Sequence, residues 1–302
     1  MKATRVLREL INNRDMMIVP GCYDAISAKI VQELNFEAVY LTGFGVEASL
    51  LGAPDIGLTS MTELVTHAGN IAGSIDIPLI CDGESGFGDV KNTWRMVKEF
   101  EKAGVAGIHI EDQVVPKKCG IFADRKVLPL EVAAGKIRAA AEARRDKDFV
   151  IIARSDAKHL GLNEVIKRLN AYAEAGADLV MVAEWYTEDE IRQLVKAVEA
   201  PWVLIAFLPD PTRKQPTYDH FTIEDFRGLG AKMVVFPLHP VMAAIKAISS
   251  LWGELKNQGT IRREWAADNL CTLRDFWQII GLSDWAEIEK KYVPGGRLEA
   301  GK

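Results

Sequence analysis

Residues 107–120 read Gly-Ile-His-Ile-Glu-Asp-Gln-Val-Val-Pro-Lys-Lys-Cys-Gly. A short apolar run leads straight into the carboxylates Glu111 and Asp112, then into Lys117, Lys118 and the Cys119 thiol. This is a poor recipe for a core and a good one for a site: carboxylates hold cations or move protons, and a thiol beside lysines is favoured as thiolate. Further acids stand at Asp55, Asp82 and Glu84. Gathered in one mouth, these carboxylates and Glu111 would repel one another and raise each other's pKa. A divalent cation is the usual relief. An all-oxygen set without a histidine cluster suits Mg2+, with Mn2+ as a substitute, rather than zinc. The plainer alternative pairs each acid with a nearby lysine or a helix amino end. Arg154 closes an apolar run, and arginine suits bidentate recognition of a carboxylate. Asp112 and Asp156 read as holders of a neighbouring loop or arginine. His109, inside the run, reads as a packed residue rather than a base. Cys22, Cys81 and Cys271 read as core or incidental thiols. The stretch Gly83–Gly88 lacks the lysine and hydroxyl of a phosphate loop.

Eight short runs, apolar throughout, could position these groups: 17–20, 38–41, 78–81, 107–110, 149–153, 179–182, 202–205 and 232–236. Such runs suit strands buried on both faces. A first helix is predicted over 4–13. Amphipathic stretches follow at 24–34, 61–74, 91–104, 131–146, 162–175, 188–199, 222–228 and 240–256. Ser60 with Glu63, and Thr187 with Glu190, have capping-box spacing. Glycines 104, 176 and 230 stand where helices should stop. The alternation predicts an α/β fold with a parallel sheet, and its repetition predicts a closed (β/α)8 barrel of the TIM type; the alternative is an open doubly wound sheet. Two further helices, 262–278 and 284–291, carry Trp265, Leu270, Leu273, Phe276, Trp277 and Trp285. They need burial against something, and a partner subunit is the candidate. One domain, 1–302, with 258–302 as a C-terminal helical appendage, is the economical division. A parallel barrel keeps its site at the C-terminal ends of the strands. That places Tyr40, Thr42, Gly43 and Phe44 after the second strand, with Asp55 further along that loop. Asp82 and Glu84 follow the third, Glu111, Lys117, Cys119 and Gly120 the fourth, and Arg154 the fifth. Glu184 follows the sixth, Asp210 and Arg213 the seventh, and His239 the eighth.

Composition narrows the classes. A net charge of -5 lacks the basic face of a nucleic-acid binder. No apolar run reaches the roughly 18 residues of a membrane span, and the N-terminus has no signal-peptide core. Four scattered cysteines without a CxxC fit reduced thiols in a cytoplasmic protein.

Asp-Gly-Glu-Ser-Gly-Phe-Gly at 82–88 resembles the Asp-Ala-Asp-Thr-Gly-Phe/Tyr-Gly metal loop of the isocitrate lyase/phosphoenolpyruvate mutase superfamily. Glu111-Asp112-Gln113 followed by Lys117-Lys118-Cys119-Gly120 is similar to the signature of its lyase branch. Tyr40–Gly43, Leu51–Asp55 and Ala153–Ala157 match further motifs in order, across roughly residues 15–250. The resemblance implies that Asp82 binds Mg2+ directly, and Glu84 and Glu111 directly or through water. It implies that Asp55 acts near the substrate oxygen and that Cys119 is the acid/base on a mobile gating loop, with Lys117 beside it. It implies that Tyr40, Thr42, Gly43, Phe44, Gly120, Arg154 and Glu184 hold a small carboxylate substrate. It also implies a homotetramer built from helix-swapped dimers. The implied reaction is cleavage of a 2-hydroxy di- or tricarboxylate into a 2-oxo acid and a carboxylate.

Several positions depart from the family pattern. Glu84 replaces the usual aspartate, and Ile121 replaces the histidine after Cys-Gly. Residues 209–217 look more like the phosphonate branch than the tricarboxylate lyases. A smaller or more apolar substrate, of the alkylmalate type, is therefore expected. The competing readings are phosphonate chemistry (phosphoenolpyruvate or carboxyphosphonoenolpyruvate mutase, phosphonopyruvate hydrolase), oxaloacetate decarboxylation or hydrolysis, and a barrel with a decayed site.

Overall fold

Eight strands close into a barrel in chain order: β1 (Met17–Cys22), β2 (Val39–Leu41), β3 (Leu79–Asp82), β4 (Gly107–Glu111), β5 (Val150–Ser155), β6 (Leu179–Val182), β7 (Trp202–Ile205) and β8 (Ala231–Phe236). Neighbours run parallel, and β1 meets β8 with Met17 opposite Met233 and Pro20 opposite Phe236. The open-sheet alternative is thereby excluded. β2 to β7 are buried along their whole length, which is why their sequences are apolar without alternation. The computed structural model describes residues 1–120, 122, 124–209 and 220–295. The expectations placed on Ile121, Asp210, Arg213 and most of 209–217 lie outside these residues.

The helices are α1 (Ala3–Asn13), α2 (Ala25–Glu33), α3 (Gly43–Leu51), α4 (Met61–Ala72), α5 (Val90–Lys102), α6 (Leu130–Ala143), α7 (Leu162–Glu174), α8 (Glu188–Ala197), α9 (Ile223–Gly228), α10 (His239–Gln258), α11 (Arg263–Asn269), α12 (Leu273–Ile279) and α13 (Leu282–Tyr292). The capping boxes at Ser60 and Thr187 are formed, and Gly104, Gly176 and Gly230 all take positive φ after a helix. Two helices differ from expectation. Residues 43–51 form a helix, not a loop. Its first turn holds Gly43 and Gly45, and Gly43, Gly45, Val46 and Glu47 are all buried, so no polar stripe announces it. The stretch 262–278 is two helices, because the Thr272 side chain accepts from Asp275 N–H and starts a new one.

The chain divides into two compact units, Met1–His239 and Pro240–Lys302. The first is the barrel. The second is helical and leaves Ile248, Trp252, Leu273, Trp285 and Ile288 exposed in the single chain. No helix among the described residues is long and apolar enough to cross a membrane.

Candidate active site

Strand register assembles the site. Side chains alternate between faces along a strand, and register partners share a face. Glu111 on β4 lies opposite Arg154 on β5, and their side chains meet at 2.9 Å. Asp82 on β3 lies opposite His109, whose Nε2 is 3.0 Å from Asp82 Oδ1. The other ring nitrogen, Nδ1, is 2.7 Å from the Tyr40 hydroxyl. The sequence reading of His109 as packed is thus incomplete: it is fully buried, and it also braces Asp82 and Tyr40. Asp112, the next residue after Glu111, points the other way. It accepts from Ser155 Oγ (2.9 Å), Asp156 N–H (2.8 Å), Arg168 (3.1 Å) and the Tyr172 hydroxyl (2.8 Å) of α7. Asp156 in turn grips Arg154 at 2.9 and 2.8 Å. Both act as holders, as their placement in the sequence suggested.

The third-strand loop turns back on itself. Glu84 has φ 53°, its N–H donates to Asp82 Oδ1 at 2.8 Å, and Gly43 N–H donates to Asp82 Oδ2 at 3.2 Å. Gly43 has no room for a side chain: a methyl there would collide with Glu84 Oε1 and stand 2.7 Å from Asp82 Oδ2. Lys117 reaches into the same cluster, pairing with Asp55 and lying 2.7 Å from Glu84 Oε2. On the next turn of the loop, Cys119 N–H donates to the Asp55 carbonyl at 2.9 Å. The cavity at this mouth is lined by Tyr40, Thr42, Phe44, Asp55, Asp82, Cys119, Gly120 and Arg154 on its polar side. Its other side is Met181, Ala183, Ile205, Phe207, Pro237 and Leu238. The cavity encloses about 60 Å3. The apolar wall escaped the sequence reading, because its residues look like ordinary strand ends. Glu84, Glu111 and Lys117 sit just behind the cavity surface. Glu184 meets Arg125 at 2.5 Å and accepts Lys158 N–H at 3.1 Å.

Asp55, Asp82, Glu84, Glu111 and Asp156 are all buried, with the cations Lys117 and Arg154 paired among them and Lys136 also near Glu111. The electrostatics follow. Burial pushes the Glu84 carboxyl well up, and the negative charges of Asp82, Asp55 and Glu111 add to it, with only Lys117 opposing. Burial likewise pushes Glu111 up to about 8, although Arg154 pulls it down. Asp82 goes the other way: burial raises it, but His109, Lys117 and Arg154 together hold it far below the usual carboxylate range. Burial lowers the Lys117 ammonium, but the ring of carboxylates raises it further. Glu184 is raised to about 7, by burial first and then by Asp156, against the pull of Arg125.

The cluster fits a hard divalent cation. Glu84 Oε1 and Glu111 Oε1 are buried without a hydrogen-bond partner, and such oxygens cost free energy unless something positive meets them. Among the described residues, no three acid, histidine or thiol groups are gathered closely enough to close on an ion as they stand. Lys117 occupies one oxygen of Glu84, and Arg154 one oxygen of Glu111. Pairing of acids with nearby cations, the plainer alternative above, is present at Asp55, Glu84 and Glu111.

Residues 7–256 match the family model described as phosphoenolpyruvate phosphomutase. The chain is 38% identical to 2,3-dimethylmalate lyase of Eubacterium barkeri, over 98% of this chain and 100% of that one. It is 37% identical to 2-methylisocitrate lyase of Aeropyrum pernix, over 95% and 91%. Its fold superposes with a TM-score of 0.89 on oxaloacetate acetylhydrolase in complex with the inhibitor 3,3-difluorooxalacetate, at 31% identity and covering 98% of each chain.

Proposed function

The chain belongs to the phosphoenolpyruvate mutase/isocitrate lyase superfamily, and we propose that it is a divalent-cation-dependent carbon–carbon lyase acting on a 2-hydroxy dicarboxylate of the alkylmalate type. The observation that carries this reading is the two-sided cavity. A thiol, an arginine and two carboxylates share its lining with an apolar wall of Met181, Ile205, Phe207 and Leu238. A tricarboxylate would have to place a charge against that wall, whereas an alkyl branch would be welcome there.

The carboxylate next to the hydroxyl would rest at the amino end of α3. Thr42 is the N-cap and makes no side-chain cap bond, so beyond the Gly43 N–H, which Asp82 holds, the first turn would offer its N–H groups to an anion. Arg154, held rigid by Asp156, would orient the second carboxylate. Asp55, steadied by Lys117, would take the hydroxyl proton. The bond between carbons 2 and 3 then breaks. Its electron pair passes to carbon 3, which takes a proton from Cys119 Sγ, while carbon 2 keeps its oxygen as a 2-oxo acid. A cation held by Asp82, Glu84 and Glu111, Mg2+ by donor type with Mn2+ as substitute, would offset the negative charge developing on the 2-oxygen. The apolar residues exposed on α10, α12 and α13 are surface that a homotetramer of helix-swapped dimers would bury. A thiol that must stay reduced fits a cytoplasmic setting.

The test is release of 2-oxo acid by the purified protein with Mg2+ from a panel of alkylmalates, methylisocitrate, oxaloacetate and phosphonopyruvate. Alkylmalates should give the highest kcat/KM. Consumption of oxaloacetate or phosphonopyruvate with no product from any alkylmalate or methylisocitrate would sink the reading. Oxaloacetate hydrolysis is the second reading, favoured by the similarity to oxaloacetate acetylhydrolase.

A further inference from the structure

The loop bearing Cys119 is held from two sides by side chains that do not line the cavity. On its entering side, Gln113 Oε1 receives Lys118 N–H at 2.9 Å, and Gln113 Nε2 donates to the Lys118 carbonyl (2.8 Å) and to Asp156 Oδ2 (2.6 Å). On its leaving side stands Arg125. Its Nη1 donates to the carbonyl oxygens of Gly120 and Phe122, the latter at 2.6 Å, and approaches that of Cys119 at 3.4 Å. Its Nη2 lies 2.5 Å from Glu184 Oε2. The Arg125 and Glu184 side chains are only 8% and 7% exposed, so this pair is shielded from the screening that weakens surface ion pairs.

Carbonyl oxygens from one short turn point at a single cation. Without that cation their dipoles repel one another, and the part-buried Gly120 carbonyl loses the hydrogen bond that Arg125 gives it. A guanidinium suits the task because its planar fork can serve the turn with one nitrogen and a carboxylate with another; an ammonium has no such reach. Glu184 fixes where the fork sits, since its other oxygen is tied to Lys158 N–H just after β5. The packing beyond leaves no slack: a methyl on Gly120 would collide with the Ala183 carbonyl oxygen and stand 2.8 Å from an Arg154 nitrogen.

We propose that Arg125, tethered by Glu184, is a positioning residue that clamps the Cys119 loop and so sets the thiol against the cavity. Glu184, which the family resemblance assigned to substrate, acts here through Arg125. The kinetic arm of the test rests on the lyase reading above; the chemical arm does not.

The experiment is alkylation of Cys119 by iodoacetamide, followed by peptide mapping, in a Cys271→Ser background that removes the exposed competing thiol. Arg125→Met should speed Cys119 alkylation about tenfold, the scale of a lost charged hydrogen bond. Removing a cation disfavours the thiolate, so acceleration reports access and not reactivity. Added ethylguanidinium should reverse the effect, and Glu184→Gln should reproduce it more weakly. In turnover, Arg125→Met should lower kcat about tenfold with KM changed less than about twofold. The buried thiols Cys22 and Cys81 serve as an internal gauge. Should they also react in Arg125→Met, that variant has unfolded and the near-isosteric Glu184→Gln decides. Cys119 alkylation unchanged in a folded Arg125→Met, or in Glu184→Gln where that variant decides, would overturn the proposal. A faster alkylation in a protein that cleaves no alkylmalate would leave the clamp standing and remove the lyase reading.

Discussion

Gly43 is the residue on which the acidic cluster closes. Its Cα faces Glu84 Oε1 and Asp82 Oδ2, and its N–H holds the latter. Gly43→Ala should therefore push the two carboxylates off their positions while leaving the barrel folded. Affinity for Mg2+ or Mn2+, read by titration calorimetry, should fall about 10- to 100-fold, as when supporting groups around a metal are disturbed. Unchanged affinity would take Asp82 and Glu84 out of the ion's surroundings. At this scale the sequence was informative where chemistry is local. Two acids separated by one glycine, or a thiol after two lysines, advertise themselves. It was silent on Arg125, because nothing in Asp124-Arg125-Lys126 says that one of two neighbouring cations turns inward. It also undersold His109, whose partners Tyr40 and Asp82 come from other strands.

The elements behave as a frame that aims those residues. α7 lies outside the barrel, yet it sends Arg168 and Tyr172 to Asp112, which holds the Ser155 hydroxyl and the Asp156 backbone, and so steadies the mount of Arg154. Tyr172→Phe keeps the packing of the ring and deletes one hydrogen bond to a buried acid. A stability loss of about 1–2 kcal/mol by denaturant melts is expected. With it should come a rise in KM larger than any fall in kcat, because Arg154 is loosened and no reacting group is lost. A loss of kcat alone would contradict this. The barrel itself was legible because each strand is buried on both faces and so reads as an unbroken apolar run. α3 was not, since glycines and burial all round erase the period of 3.6 on which helix reading depends.

For the molecule as a whole, the second unit is the unfinished part. Ile248 and Trp252 on α10, and Trp285 and Ile288 on α13, are exposed in the single chain. Apolar surface of this kind is what the proposed assembly would cover. On the proposed tetramer reading, Trp252→Glu combined with Trp285→Glu should shift the sedimentation profile from tetramer towards smaller species without unfolding the barrel. A monomeric wild type would refute the assembly outright. The aromatic content of 262–291 hinted at this surface from composition alone, but which copy covers which face depends on geometry between chains, which no periodicity within one chain encodes.

The cavity of about 60 Å3 has room for roughly two water molecules and far less than a branched dicarboxylate needs. In the proposed reading, a substrate would enter or leave only once the loop carrying Cys119 and Gly120 had swung away. Capture then becomes a clocked event: as ligand concentration rises, the observed binding rate levels off at the frequency of loop opening. The side chains that fasten the loop would then set the tempo of the enzyme as well as the geometry of its chemistry.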